Sequence, residues 1–323
     1  MSAKSNPHFV PPIDKSLLKR LHAPDSWILG RTTEHIDWFN KVLNSIPRNY
    51  TWEFMSAEAF EQNFWRLVSP HGADSDPGPT TLPVAPSDAE ATRIMNASYR
   101  HYWRDMLGQI EAFSVMSAWR LAEIARSAVW AIRRGDVVCA AILSRAALET
   151  AAAYEWLNVE VRPGLETIGQ ADAPTFWRYK EGDIEKTLES KLLKVIFAST
   201  SEDDPEKLYQ PTRIGKLIQR IAELQSPTQT RDQQIVADTY FRLCEVVHPN
   251  WAGRSVYVTS VEPGRIPGHE KRTISNNHGA AEVEILRDAV SALSWSTGAF
   301  SGCCVELQKA IGGMRDHLSR VSY

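Results

Sequence analysis

Four cysteines in 323 residues, none in a Cys-x-x-Cys pair, leave no disulfide framework and no thiol redox motif to read. Cys139, Cys244, Cys303 and Cys304 are expected as buried, reduced thiols, the adjacent pair leaving different sides of a helix. The nine histidines are scattered, and no Cys/His cluster has ligand spacing, so neither a metal site nor a cofactor is expected. No apolar run approaches the ~20 residues of a membrane span. The richest, Ser127 to Trp156, is interrupted by Arg133, Arg134, Asp136, Arg145, Glu149 and Glu155. The start, MSAKSNPHFVPP, has no apolar signal core, so the expectation is a cytoplasmic chain with no membrane partner. Charge is also nearly balanced: 36 basic against 39 acidic side chains give a net charge of −3. That excludes a general polyanion binder but leaves a local basic patch open. Gly-x-Ser-x-Gly, Walker and kinase signatures are missing, and neither Gly312-Gly313 nor Pro263-Gly264 opens a helix after a strand.

What is present is ordinary globular material, 43% hydrophobic and 23% charged, with eleven tryptophans to fill a core or line grooves. The first 30 residues, Pro-rich and polar with one short amphipathic piece around Ser16 to Leu21, read as an arm rather than a core element. Thr33 to Ser45 and Ser56 to Val68 carry apolar residues at helical spacing, and Pro47 ends the first. Ser69 to Ser87 holds five prolines and two glycines, the pattern of a linker or long loop. The domain reading is therefore an arm and helical appendage over residues 1–87 and a main domain over 88–323.

In that main domain, Asp88 to Phe113 and Ser114 to Arg134 are expected as helices, with Gly135 as the stop. The most apolar helix, Val137 to about Val159, follows with Asp136 as its cap and Pro163 as its end. Alanine on most of its sides lets neighbours approach closely, as at the centre of a bundle. Further helices are expected over Asp183 to Phe197, Thr212 to Leu224 and Thr228 to Val247. Ser255 to Ser260 and Lys271 to Ser275 read as a small hairpin. A helix from Gly279 to about Ile311, bent near Gly298 and Gly302, closes the chain. The fold class expected is all-α: an antiparallel helical bundle with a small β-hairpin near residues 255–275.

The segment from Tyr240 to Asn250, YFRLCEVVHPN, carries the chemistry. Arg242 and His248 are six apart, or about 240° around an ideal helix, so they converge only if the helix frays before Pro249. Arg145 and Glu149 stand four apart on the Ala-rich helix. They read either as an internal ion pair or as a support through which Glu149 orients Arg242 or His248. Glu245 and Asn250 complete the candidate set. An imidazole titrates near neutrality and suits proton transfer, and a guanidinium binds phosphate oxygens through a fork.

Arg242-x5-His248, with Arg145-x3-Glu149 before it and Cys-Glu-x-x-His-Pro-Asn-x-x-Gly around it, resembles the HEPN ribonucleases and uncharacterised bacterial helical proteins regarded as HEPN-like. The resemblance covers Asp88 to about Gly312. One departure is Leu243, where active members commonly carry a polar residue after the arginine. The resemblance implies a bundle of four or five helices, a homodimer, and metal-independent RNA cleavage in phage-defence or toxin–antitoxin systems. Arg242 and His248 would then be catalytic, RNA or a nucleotide the ligand, and a protein encoded nearby a partner. The alternative is a non-catalytic helical module that binds a protein as sensor or adaptor.

Overall fold

The computed structural model describes residues 12–21, 25–51, 87–170, 188, 191, 192, 195, 213–225, 230–248, 251–275 and 279–321. The expected helix at Ser56–Val68, nearly all of the Pro-rich stretch after it, and Asn250 lie outside the described residues. Of the helix expected at Asp183–Phe197, Leu188, Lys191, Leu192 and Val195 are described and are helical. The protein is all-α with one small hairpin. Its described elements are α1 (Lys15–Arg20), α2 (Trp27–Ser45), α3 (Asp88–Arg134), α4 (Val137–Gly169), α5 (Ile214–Gln225), α6 (Thr230–Val247), α7 (Trp251–Ser255), β1 (Val258–Pro263), β2 (Glu270–Ile274) and α8 (Gly279–Arg320).

Several boundaries differ from the sequence reading, each for a local reason. Asp88–Phe113 and Ser114–Arg134 are one helix, because nothing between Phe113 and Ser114 breaks it: Ser114 returns its hydroxyl to the Ile110 carbonyl. Pro163 does not end α4. A proline costs one backbone bond, but buried Val161 and Leu165 hold the helix on either side, and Arg162 pairs with Glu166 across the position. Helix α2 begins six residues before Thr33, whose hydroxyl, like that of Thr32, bonds back to the Leu29 carbonyl instead of capping. The N-terminal stretch is not simply an arm: Asp14 caps α1 by accepting the Leu17 N–H, and Leu17 and Ile28 are fully buried. Trp251–Ser255 is helical, so β1 starts at Val258. Helix α8 runs through Gly298, Gly302, Gly312 and Gly313 to Arg320.

The turn between α3 and α4 follows from one residue. Gly135 has φ of 74°, the left-handed region that side chains resist. Its N–H bonds the Ile132 carbonyl and that of Asp136 bonds Ala131, which closes α3 with a Schellman motif.

The chain divides into two compact units, and each of the three long helices contributes to both. The first comprises Met1–Arg48, Met116–Trp156 and Thr212–Cys303. Here α3 and α4 run antiparallel, with Arg120 bonded to Thr150. The Ala-rich face of α4 is core: Ala140, Ala141, Ala147, Leu148, Ala151 and Ala152 are all fully buried. Helix α2 runs alongside the start of α8 in the same direction, since Asp25–Arg287, His35–Ser294 and Trp38–Ser301 pair in ascending order. Helix α5 packs on α6, and α6 on α7. Strands β1 and β2 form an exposed antiparallel ribbon with an irregular register between Val258 and Ser260.

The second unit comprises Asn49–Val115, Leu157–Pro211 and Cys304–Tyr323. Its centre is aromatic: Tyr99 and Trp103 are almost fully buried, and the Tyr99 hydroxyl meets His317 Nε2 at 2.9 Å. Gly169 lies where a Cβ would stand 3.1 Å from the Gly313 backbone, so two helices approach closely there.

Helix α4 is long and apolar enough to cross a membrane by length and composition. The run-length reading did not register this because it counted interrupting charges. Half of that window is buried inside the protein.

Candidate functional site

The candidate residues of the first unit fall into two bonded groups, one joining α4 to α6 and one joining α6 to α8, and among the described residues the His248 side chain bonds to neither. On α4, Arg145 donates from Nε to Glu149 Oε1 at 2.8 Å, with side-chain exposures of 25% and 31%. Four residues advance a helix by about 400°, so the two side chains lie on one face, and the pair follows from spacing alone. The same Glu149 Oε1 accepts the Tyr240 hydroxyl of α6 at 2.9 Å. The Arg145 guanidinium also lies 5.8 Å from the centre of the Tyr240 ring. Glu149 therefore engages Tyr240 and Arg145. Among the described residues it bonds neither Arg242 nor His248.

This cluster perturbs its members. Burial pushes the Tyr240 phenol well above its ordinary value, and its bonds to Glu149 and Cys244 add to the effect. Burial works against the Arg145 cation, but the bond to Glu149 and its charge more than offset that and raise the guanidinium above its usual range. Tyr240 is thus a fixed neutral donor and Arg145 a fixed cation at neutral pH.

Arg242 leaves α6 toward a different neighbour. Its Nε and Nη2 donate to the two carboxylate oxygens of Asp288 on α8, at 2.7 and 2.8 Å. Nη2 also donates to Thr239 Oγ1 at 3.0 Å. The Asp288 bond, with the charge of that carboxylate, holds its pKa above the usual range against a smaller cost of burial. The forked pair is the strong geometry for guanidinium and carboxylate. The Nη1 edge, with its two N–H groups, makes no bond among the described residues. Arg242 remains 56% exposed while Asp288 is 15% exposed, so the carboxylate sits behind the guanidinium.

His248 stands exposed at the end of α6. Its N–H still bonds the Cys244 carbonyl at 3.0 Å, so the helix does not fray before Pro249. The convergence of His248 with Arg242 through fraying is therefore not what the structure shows, and no hydrogen bond joins them among the described residues. Glu245 is exposed on the last full turn, and Asn250 lies outside the described residues. Gly253 of α7 tucks beneath the His248 carbonyl: a Cβ there would collide with that oxygen and stand 3.0 Å from the Glu245 carbonyl.

Three participants escaped the sequence reading. Tyr240 is buried, at 4% exposure, as an aromatic ring at helical spacing suggests, but its hydroxyl is the link between α4 and α6. Thr239 and Asp288 carried no signal, since Asp288 is 46 residues from the arginine it meets. Arg133, one of the charges that interrupt the apolar run, is buried and donates to Thr32. Of the thiols, Cys303 is buried, Cys244 and Cys304 are half-buried, and Cys139 is exposed, against the expectation of burial. Among the described residues no group of three or more His, Cys, Asp or Glu is arranged to hold a metal ion.

Compared with known protein families, curated proteins and solved structures, the chain matches none.

Proposed function

We propose that this is a HEPN-like helical protein acting on RNA or a nucleotide, with metal-independent phosphodiester cleavage as its chemistry and a defence or toxin–antitoxin system as its setting. The observation that supports this best is the state of Arg242. Its guanidinium is exposed, oriented by Asp288 and Thr239, and keeps the Nη1 edge for a phosphate oxygen. A pre-oriented cation loses little freedom when it binds an anion. His248, exposed on the same helix, is the group that takes the proton of the 2′-hydroxyl. The 2′-oxygen then bonds to phosphorus, the bond from phosphorus to the 5′-oxygen breaks, and a proton returns to that oxygen from an imidazolium. In a homodimer the same histidine of a second copy fills this last role. Arg145, Glu149 and Tyr240 support the site by fixing α6 against α4, and Glu245 and Asn250 flank His248.

The Asp288 contact also favours a second reading. A fork already matched to a carboxylate is a clamp between α6 and α8, and a clamp suits a non-catalytic sensor or adaptor.

One assay separates the two: mixed RNA, purified protein and EDTA, with His248→Ala beside the unaltered chain. The expected result is cleavage that falls by ~10²–10⁴ in His248→Ala with an unchanged melting temperature. Cleavage that survives in the variant, or requires a divalent metal, removes the mechanism. Cleavage by neither protein supports the adaptor.

A further inference from the structure

The second unit carries a groove of about 310 Å³ that none of the preceding argument uses. Its walls are Arg100, Arg104 and Glu111 of α3 and Arg315 and Ser319 of α8, over a floor of Leu107, Gly108 and Leu318. Three guanidiniums face one carboxylate, and that carboxylate is already engaged: Glu111 accepts Arg315 at 2.5 Å and the Tyr50 hydroxyl at 3.2 Å. Arg100 is oriented by its bond to the Val321 carbonyl at 3.2 Å. Arg104 is exposed and makes no ion pair among the described residues. Arg100 and Arg104 stand one helical turn apart, where like charges repel and cost helix stability. Arg104 thus presents a cation with no ion-pair partner among the described residues, beside two further guanidiniums, at one concave place.

We propose that this groove binds a small phosphate-bearing ligand of about mononucleotide size, with its phosphates on Arg100, Arg104 and Arg315. The uncharged part of the ligand lies on Leu107, Gly108 and Leu318. The volume is at the small end of ligand pockets, which run from ~300 Å³ upward, and fits a single nucleotide rather than a larger cofactor. Guanidinium forks match phosphate oxygens, and an apolar floor with a glycine in it admits a flat group closely. His101, adjacent in sequence, reports the same field. Burial lowers its pKa, and the charges of Arg104 and Arg100 lower it further. A bound phosphate opposes those charges and raises it. The groove belongs to a different unit from Arg242 and His248, so this site stands independently of the reading given to them.

The test is calorimetric titration of the full chain with ADP, pyrophosphate, adenosine and a single-stranded RNA oligomer, with the His101 imidazole followed by NMR. ADP and pyrophosphate are expected to bind, adenosine not to bind, and the His101 pKa to rise when ADP is present. Arg104→Gln, at an exposed position that leaves the fold intact, should weaken ADP by about tenfold or more, as loss of a charge-assisted hydrogen bond requires. Arg100→Gln should act in the same direction. The proposal is overturned if neither phosphate probe binds, or if Arg104→Gln binds ADP as well as the unaltered chain. Binding of the RNA oligomer that Arg104→Gln abolishes, with neither phosphate probe bound, also overturns it, because the groove is then a surface for polymer.

Discussion

Glu149 is the residue on which the α4–α6 contact turns, since one of its oxygens receives both Arg145 and Tyr240. The three contribute unequally. Tyr240→Phe removes the bond to the Glu149 carboxylate and the weaker one to Cys244 but leaves the ring in place, so a loss of ~1–2 kcal/mol in unfolding free energy is expected. Glu149→Ala removes both partners at once and strands Arg145. A fully buried pair broken in this way costs ~3–5 kcal/mol, but this one is about a quarter to a third exposed, so ~1–3 kcal/mol is expected. Chemical denaturation of the two variants checks the order. Equal losses would mean that Arg145 is held by something other than Glu149. The i, i+4 spacing made the pair legible beforehand. Tyr240 was legible only as apolar, because periodicity reports the ring and says nothing of where its hydroxyl finds an acceptor.

Helix α6 ends with an intact backbone bond from His248 to Cys244, and the next helix starts within three residues. That junction requires Gly253, where any Cβ meets the His248 carbonyl. Gly253→Ala is therefore expected to shift the α6–α7 junction, with a loss of ~1–3 kcal/mol from overpacking. If His248 transfers protons, the same change should lower cleavage far more than the melting temperature, because the imidazole moves with its backbone. A circular-dichroism melt beside the RNA assay reads both, and unchanged cleavage would detach Gly253 from the site. The sequence marks Gly253 only as a residue beyond His-Pro-Asn. Its φ is not in the left-handed region, and its need is a close approach that arises once α7 has folded back.

At the scale of the whole molecule, stability and pH are linked through His35. It is buried beside Ser294, and burial, outweighing the nearby Glu34, takes its pKa from 6.5 to about 4. The folded chain then refuses a proton that the unfolded chain accepts between pH 6.5 and 4. Stability contributed by the neutral imidazole is fully present above pH 6.5, and falls as the pH drops through that window, by up to about 3 kcal/mol. Urea unfolding at pH 7 and pH 4.5 tests this against His35→Gln, which cannot titrate. The variant should lose less stability between the two pH values. Equal losses would place the effect on other groups. A histidine in the middle of α2 offers no sequence cue to this behaviour, because the desolvation comes from α8, some 259 residues away.

Short-range sterics and periodicity determined the helical class, the buried alanine face of α4, the glycine stop at position 135 and the Arg145–Glu149 pair. Each depends on residues within a turn or two, so each is present in any fold these segments adopt. Tertiary structure alone decided that Arg242 would meet Asp288, that α4 would continue through Pro163, that Tyr240 would bond across to α4, and that three arginines would share one groove with one carboxylate. Those outcomes depend on which helix packs beside which. A guanidinium takes the nearest acceptor that packing brings to it, and a helix keeps a proline when burial on both sides is worth more than the one backbone bond lost.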